Sequence, residues 1–277
     1  MRPTARVRHA AAAAAAVLLL ASACSSGDDD TVEPSPTSEP TAPPTASAAE
    51  RPPADACYEL TIDEALAPTS SSAPVDCADG AGSVTSVTYE VGALSTWVDG
   101  HLLAVDSAQV QGALASTCRR NLAAYLGTDQ TTLRLSVVTP IWFSPTVEES
   151  DAGADWYRCD ATAVIDSERL GALPVPLEGA FADGAGALAL CGTAEPGAED
   201  FRRIACGLDH AWRAVEVVDV GDAYPGEEAA QAAGQDQCQQ AGREVAEDAL
   251  DYQWGYEWPT AEQWAAGQTY GLCWVPA

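Results

Sequence analysis

Two fifteen-residue stretches share one frame: Pro145-Thr-Val-Glu-Glu-Ser-Asp-Ala-Gly-Ala-Asp-Trp-Tyr-Arg-Cys159 and Pro259-Thr-Ala-Glu-Gln-Trp-Ala-Ala-Gly-Gln-Thr-Tyr-Gly-Leu-Cys273. Both read P-T-x-E-x-x-x-A-G-x-x-x-x-x-C, six identities without a gap. Self-similarity of this kind marks a duplicated structural unit. A second correspondence lies upstream, where Cys77 and Cys206 are each followed fifteen residues later by the glycine of a Val-Gly pair, Gly92 and Gly221. Whatever this chain folds into must be buildable twice.

The N-terminus sets the compartment. Arg2, Arg6 and Arg8 precede an apolar run from Ala10 to Ala23, and a small-residue junction, Leu20-Ala-Ser-Ala, ends at Cys24. The run is too short to span a bilayer and has the layout of a secretory signal over residues 1–23. Cysteine directly after small residues resembles a bacterial lipobox, with Ala21 where the pattern usually carries leucine. The expectation is export by the general route and lipid attachment at Cys24, on the outer face of the cell membrane; free secretion is the alternative. Residues 24–54, with Asp28-Asp29-Asp30 and a run of prolines among Thr and Ser, hold almost nothing to bury. They are expected to be a disordered tether reaching at most about 90 Å as polyproline.

Eight cysteines follow Cys24, and an even number in an exported chain reads as disulfides. The repeat divides them into Cys57, Cys77, Cys118, Cys159 and Cys191, Cys206, Cys238, Cys273. If both units pair alike, three schemes remain. The scheme chosen here joins first to second and third to fourth in each unit, each bridge contributing about 3–4 kcal/mol in the loop-entropy model. Beyond the signal the chain has 41 carboxylates against ten arginines and no lysine. Such a surface repels nucleic acid and anionic lipid, so neither is an expected partner.

The expected fold class is α+β: two tandem units, residues 55–170 and 191–277, each ordered strand, helix, strand, strand, with a join over 171–190. In the first unit, alternation predicts a strand over Ser83 to Val91 ended by Gly92. A helix from Asp106 to Leu126 follows, capped by Asp106 with Gln109, stopped by Gly127, and inward at Val110, Leu114, Cys118, Leu122 and Tyr125. Strands are expected over Thr132 to Val138 and Trp156 to Ile165, and Val175 to Phe181 is a possible edge strand. In the second unit the pattern predicts a strand over Ala211 to Val220 and a helix over Glu227 to Leu250 with Cys238, Ala241, Val245 and Ala249 inward. Strands over Asp251 to Trp258 and Gln268 to Trp274 complete it.

Cys206-x3-His210, valine alternation, and Pro259-Thr-x-Glu-x-Trp264-x-x-Gly267-x5-Cys273 together resemble the septum-formation-related domain of actinobacterial cell-envelope proteins. The resemblance implies two copies, the first departing at Ala81 and Ser150, where His210 and Trp264 would align. It further implies a noncatalytic envelope protein with division proteins as partners, and no cofactor.

Three groups of residues are candidate sites. His210 lacks a second histidine nearby and any nucleophile motif, so hydrogen bonding to backbone is favoured over metal ligation or a hydrolase base; His101 is weaker still. Glu148 and Glu262, three residues after matched prolines, fit a first helical turn one residue short of a capping box rather than an acid/base pair. Trp258 and Trp264, in an aromatic C-terminal region, are favoured as core, with a glycan- or peptidoglycan-binding groove as the alternative use.

Overall fold

The computed structural model describes residues 47–277 except 79–81, 167 and 249. The signal segment, Cys24, most of the expected tether, Ala81 and Ala249 lie outside the described residues.

The first unit contains β1 (Cys57–Tyr58), α1 (Ile62–Leu66), β2 (Ser86–Ala93) and a two-residue hairpin of β3 (Trp97–Val98) and β4 (His101–Leu102). It continues with α2 (Ala108–Tyr125), α3 (Gln130–Arg134), β5 (Val138–Phe143), α4 (Val147–Asp151), β6 (Trp156–Val164) and β7 (Leu170–Gly171). The second holds β8 (Leu190–Gly192), β9 (Arg203–Ala205), β10 (Trp212–Asp219), α5 (Glu227–Ala233), α6 (Gln235–Val245), β11 (Gly255–Glu257), α7 (Ala261–Ala265) and β12 (Tyr270–Pro276). Each unit carries one antiparallel sheet, ordered β1-β2-β6-β5 in the first and β9-β8-β10-β12-β11 in the second.

The repeat is visible in the register. Cys159 lies opposite Glu90 and Trp142, and Cys273 lies opposite Glu216 and Tyr256. Both central ladders carry a bulge one residue before that glutamate, between Thr88 and Glu90 and between Ala214 and Glu216. The repeated motif folds alike in both places: Thr146 and Thr260 cap α4 and α7, and Gly153 and Gly267 follow with φ of 109° and 100°. Four disulfides, Cys57–Cys77, Cys118–Cys159, Cys191–Cys206 and Cys238–Cys273, join first to second and third to fourth in each unit. The latter bridge of each unit pins α2 to β6 and α6 to β12.

Several elements differ from expectation for local reasons. The cap of α2 is Ser107, whose hydroxyl accepts from the Val110 amide at 3.4 Å; Asp106 stands outside the helix and Gln109 closes no box. The strand expected over Thr132 to Val138 begins only at Val138, and residues 130–134 form α3, because the Asp129 carboxylate accepts the Thr132 amide at 2.7 Å. β2 runs through Gly92 to Ala93, and Gly92 is needed there because the Tyr157 ring sits where a Cβ would be. The expected Glu227–Leu250 helix breaks at Gly234, against the Tyr256 ring, and ends at Val245, which is exposed. The capping boxes of α4 and α7 are closed by Glu149 and Gln263, one residue beyond Glu148 and Glu262.

The two units are not beads on a string. A single core cluster takes Val84, Leu122 and Ala161 from the first and Trp212, Leu272 and Trp274 from the second. The join contributes Leu173, Leu177 and Phe181, all buried, in loop conformation rather than as an edge strand. Its backbone bonds to both neighbours: the amides of Gly179 and Phe181 donate to Tyr125 and Leu126 of the first unit, and those of Cys206 and Gly207 of the second donate to Ala189 and Ala187. The end of the expected tether is docked too, since Trp156 Nε1 donates to the Ala49 carbonyl and Arg51 pairs with Asp155 at 3.2 Å.

Candidate functional site

His210 lies exposed on the turn before β10, with Nδ1 2.7 Å from the Leu208 carbonyl. Its imidazole comes within 4.8 Å of the sulfurs of Cys191 and Cys206, an arrangement with the outline of a metal site. Those sulfurs are bonded to each other, so no thiolate is available and the cluster offers one imidazole ligand. His101 is exposed in the β3–β4 hairpin. Glu148 and Glu262 are exposed on the first turns of α4 and α7, and a backbone amide bond to Glu262 holds its carboxyl below the usual range. Trp258 and Trp264 are half-buried against the cluster of Val218, Cys238 and Tyr256, with ring partners Tyr256 at 6.0 Å and Tyr224 at 5.7 Å.

None of these residues lines the large concavity. That cleft, of about 1280 Å³, opens between the units along the free edge of β5. Ile62 and Leu66 of α1 form one wall, and Val138, Ile141 and Leu170 its apolar floor. Pro140, in mid-strand, keeps that edge from accepting a further β-strand. Arginines cross it. Arg119 on α2 donates to the Ala266 carbonyl at 3.1 Å, at the end of α7, and lies 5.8 Å over the Trp142 ring. Arg134 on α3 stacks 4.4 Å over Tyr270 of β12. Arg203 grips the Glu257 carboxylate at 3.0–3.1 Å and donates to Gln268 at 2.9 Å. Arg120 and Arg202 complete the set.

The sequence reading passed over this site. Its signal was present as two Arg-Arg pairs, 119–120 and 202–203, in a chain with few cations, but the 81 residues between them hide their convergence.

Compared with known proteins, one family model, described as Septum formation, matches residues 54–273. The chain belongs to the Septum formation family. This one match spans both units and does not by itself establish two copies of the family domain. No curated protein and no solved structure matches this chain. Four disulfides in such a domain belong to a chain that folds outside the reducing cytoplasm. Among the described residues no helix is long and apolar enough to cross a membrane.

Proposed function

We propose that this protein is a noncatalytic binding protein of the cell envelope that serves septum formation, held at the outer face of the membrane by lipid on Cys24. The family match over residues 54–273 carries the septal part of the reading. Support for binding rather than catalysis comes from the cleft, whose described lining includes one carboxylate, Asp166, and no histidine or thiol. That carboxylate is engaged by Arg169 at 2.6 Å, leaving no pair of groups set for proton transfer. Support for the anchor comes from the N-terminal pattern ending at Cys24.

The test is a fluorescent fusion that tolerates export, followed through division in the native host. Enrichment at the septum, and release of a Cys24→Ser variant from the membrane fraction, are the expected results. Uniform distribution around the cell would overturn the septal role, and membrane retention of the variant would overturn the lipid anchor.

A further inference from the structure

In a chain of net charge −28, the cleft collects five of the ten arginines that follow the signal segment, against one carboxylate, Asp166, among the described residues of its lining. Stitching within and between the units accounts for Arg119 and Arg134, which reach across to Ala266 and Tyr270, and for Arg203, which pairs with Glu257 inside the second unit. It does not account for Arg120 and Arg202. Both are exposed; among the described residues the Arg120 guanidinium bonds only to the hydroxyls of Ser116 and Thr117 on its own helix, and that of Arg202 only to carbonyls of its own loop. Among the described residues, Arg119, Arg120, Arg134 and Arg202 form no ion pair, although carboxylates outnumber cations about fourfold beyond the signal. Four unpaired guanidinium groups gathered around one apolar cleft make a site prepared for anions, and the planar fork suits carboxylates in particular.

We propose that the cleft binds an extended acidic peptide segment of a partner protein, with aliphatic side chains on the cleft floor and carboxylates on the arginines. Three observations choose the peptide over an anionic glycan. The lining is aliphatic at Ile62, Leu66, Val138, Ile141 and Leu170, which suits Leu or Val side chains. The two aromatic faces that a sugar ring would use are already covered, Trp142 by Arg119 and Tyr270 by Arg134. Small-molecule sites run to about 1000 Å³, so a cleft of 1280 Å³ accommodates several residues of chain. The remote acidic surface does not forbid this, because charges more than about 8 Å away are largely screened at physiological salt while the cleft arginines act at contact. This inference rests on reading the protein as a binding protein; its assay scores the cleft's ligand directly and is independent of where the protein sits in the cell.

The test measures fluorescence anisotropy with full-length protein and a labelled ten-residue peptide of Glu and Leu, beside its Gln and Leu counterpart. The Glu peptide is expected to bind at least tenfold more tightly. Arg120→Gln/Arg202→Gln, which touches neither the core nor the interunit bonds, is expected to lose at least tenfold in affinity with an unchanged circular dichroism spectrum. Arg213→Gln, an exposed arginine elsewhere, should bind like the parent. Equal binding of the two peptides, no binding at millimolar peptide, or an equal loss in Arg213→Gln would overturn the proposal. So would displacement of the peptide by polygalacturonate at matched carboxylate concentration, which would make the site one for glycan polyanions.

Discussion

Arg158 and Asp160, two positions apart on β6, form an ion pair at 3.0 Å in which neither side chain is more than 4% exposed. Ser86 and Thr88 donate to the same carboxylate at 2.9 and 2.8 Å, and the guanidinium lies over Tyr58 and Phe143 at 4.0 and 4.5 Å. The strand registers align Arg158 with Leu272, Asp160 with Trp274 and Thr88 with Ala214. Two matched positions in the duplicated fold are therefore filled by ions in the first unit and by a leucine and a tryptophan in the second. Burial pushes the Asp160 carboxyl up, and Arg158 with the two hydroxyls pulls it back.

The pair should accordingly be costly to break and cheap to replace. Asp160→Asn strands a buried guanidinium and is expected to cost about 3–5 kcal/mol. Arg158→Leu/Asp160→Leu, which brings the first unit closer to the second, should cost less than the sum of its single changes. Urea unfolding across the double-mutant cycle measures the coupling. Additive losses would show that the two side chains do not depend on each other.

The disulfides fall into two classes by access. Cys118–Cys159 and Cys238–Cys273 are fully buried, whereas Cys77 and Cys206 leave one sulfur of each remaining bridge half-exposed. Exchange requires a thiolate to reach a sulfur, so dilute dithiothreitol should open Cys57–Cys77 and Cys191–Cys206 first. Timed alkylation with mass mapping gives the order. Loss of all four bridges together would mean that global unfolding controls reduction.

How much of this was legible in the sequence follows from the range of the forces involved. The repeated motif, the cysteine pairing and the buried stripe of α2 at Val110, Leu114, Cys118 and Leu122 are set by short spacing rules, and all three could be read directly. The conformation of residues 130–134 could not, because the alternation of Leu133, Leu135 and Val137 suits a strand and a single carboxylate, Asp129, decides for helix. The expected helix over Glu227 to Leu250 runs through Gly234, and the ring that lies against that glycine belongs to Tyr256, distant in sequence. The shared core and the arginine cleft depend on contacts between units, and periodicity within a unit carries no information about them.

The caps should behave as local, additive devices. Thr146 and Thr260 each accept one amide bond, at 3.1 and 3.2 Å, and replacement of either by alanine is expected to cost about 1 kcal/mol. Thr61 caps α1 in the same way, and its amide and hydroxyl both donate to Glu64, which lowers that carboxyl's pKa. A depressed carboxyl stabilises the fold above its unfolded value, about 4.3, and that stability is lost as pH falls through the folded value. The Thr61 amide resonance, followed by NMR on acidification, should therefore shift with a midpoint below the ordinary glutamate range. A midpoint at or above 4.3 would contradict the cap.

His210 offers the strictest check on the reading of the cysteines. With Cys191 and Cys206 oxidised, one exposed imidazole is too few ligands to hold zinc, since tight sites use three or four donors and require thiolates rather than disulfide sulfur. Zinc at about 100 µM should leave the melting temperature of the oxidised protein unchanged, and His210→Ala should alter stability by less than about 0.5 kcal/mol, as surface substitutions do. Opening the Cys191–Cys206 bridge frees two thiols within 4.8 Å of the imidazole. Zinc should then protect both cysteines from alkylation, and His210→Ala should weaken that protection. His210-dependent zinc binding by the oxidised protein would mean that the imidazole has ligand partners other than these sulfurs, and a metal role for this turn would then replace a purely structural one.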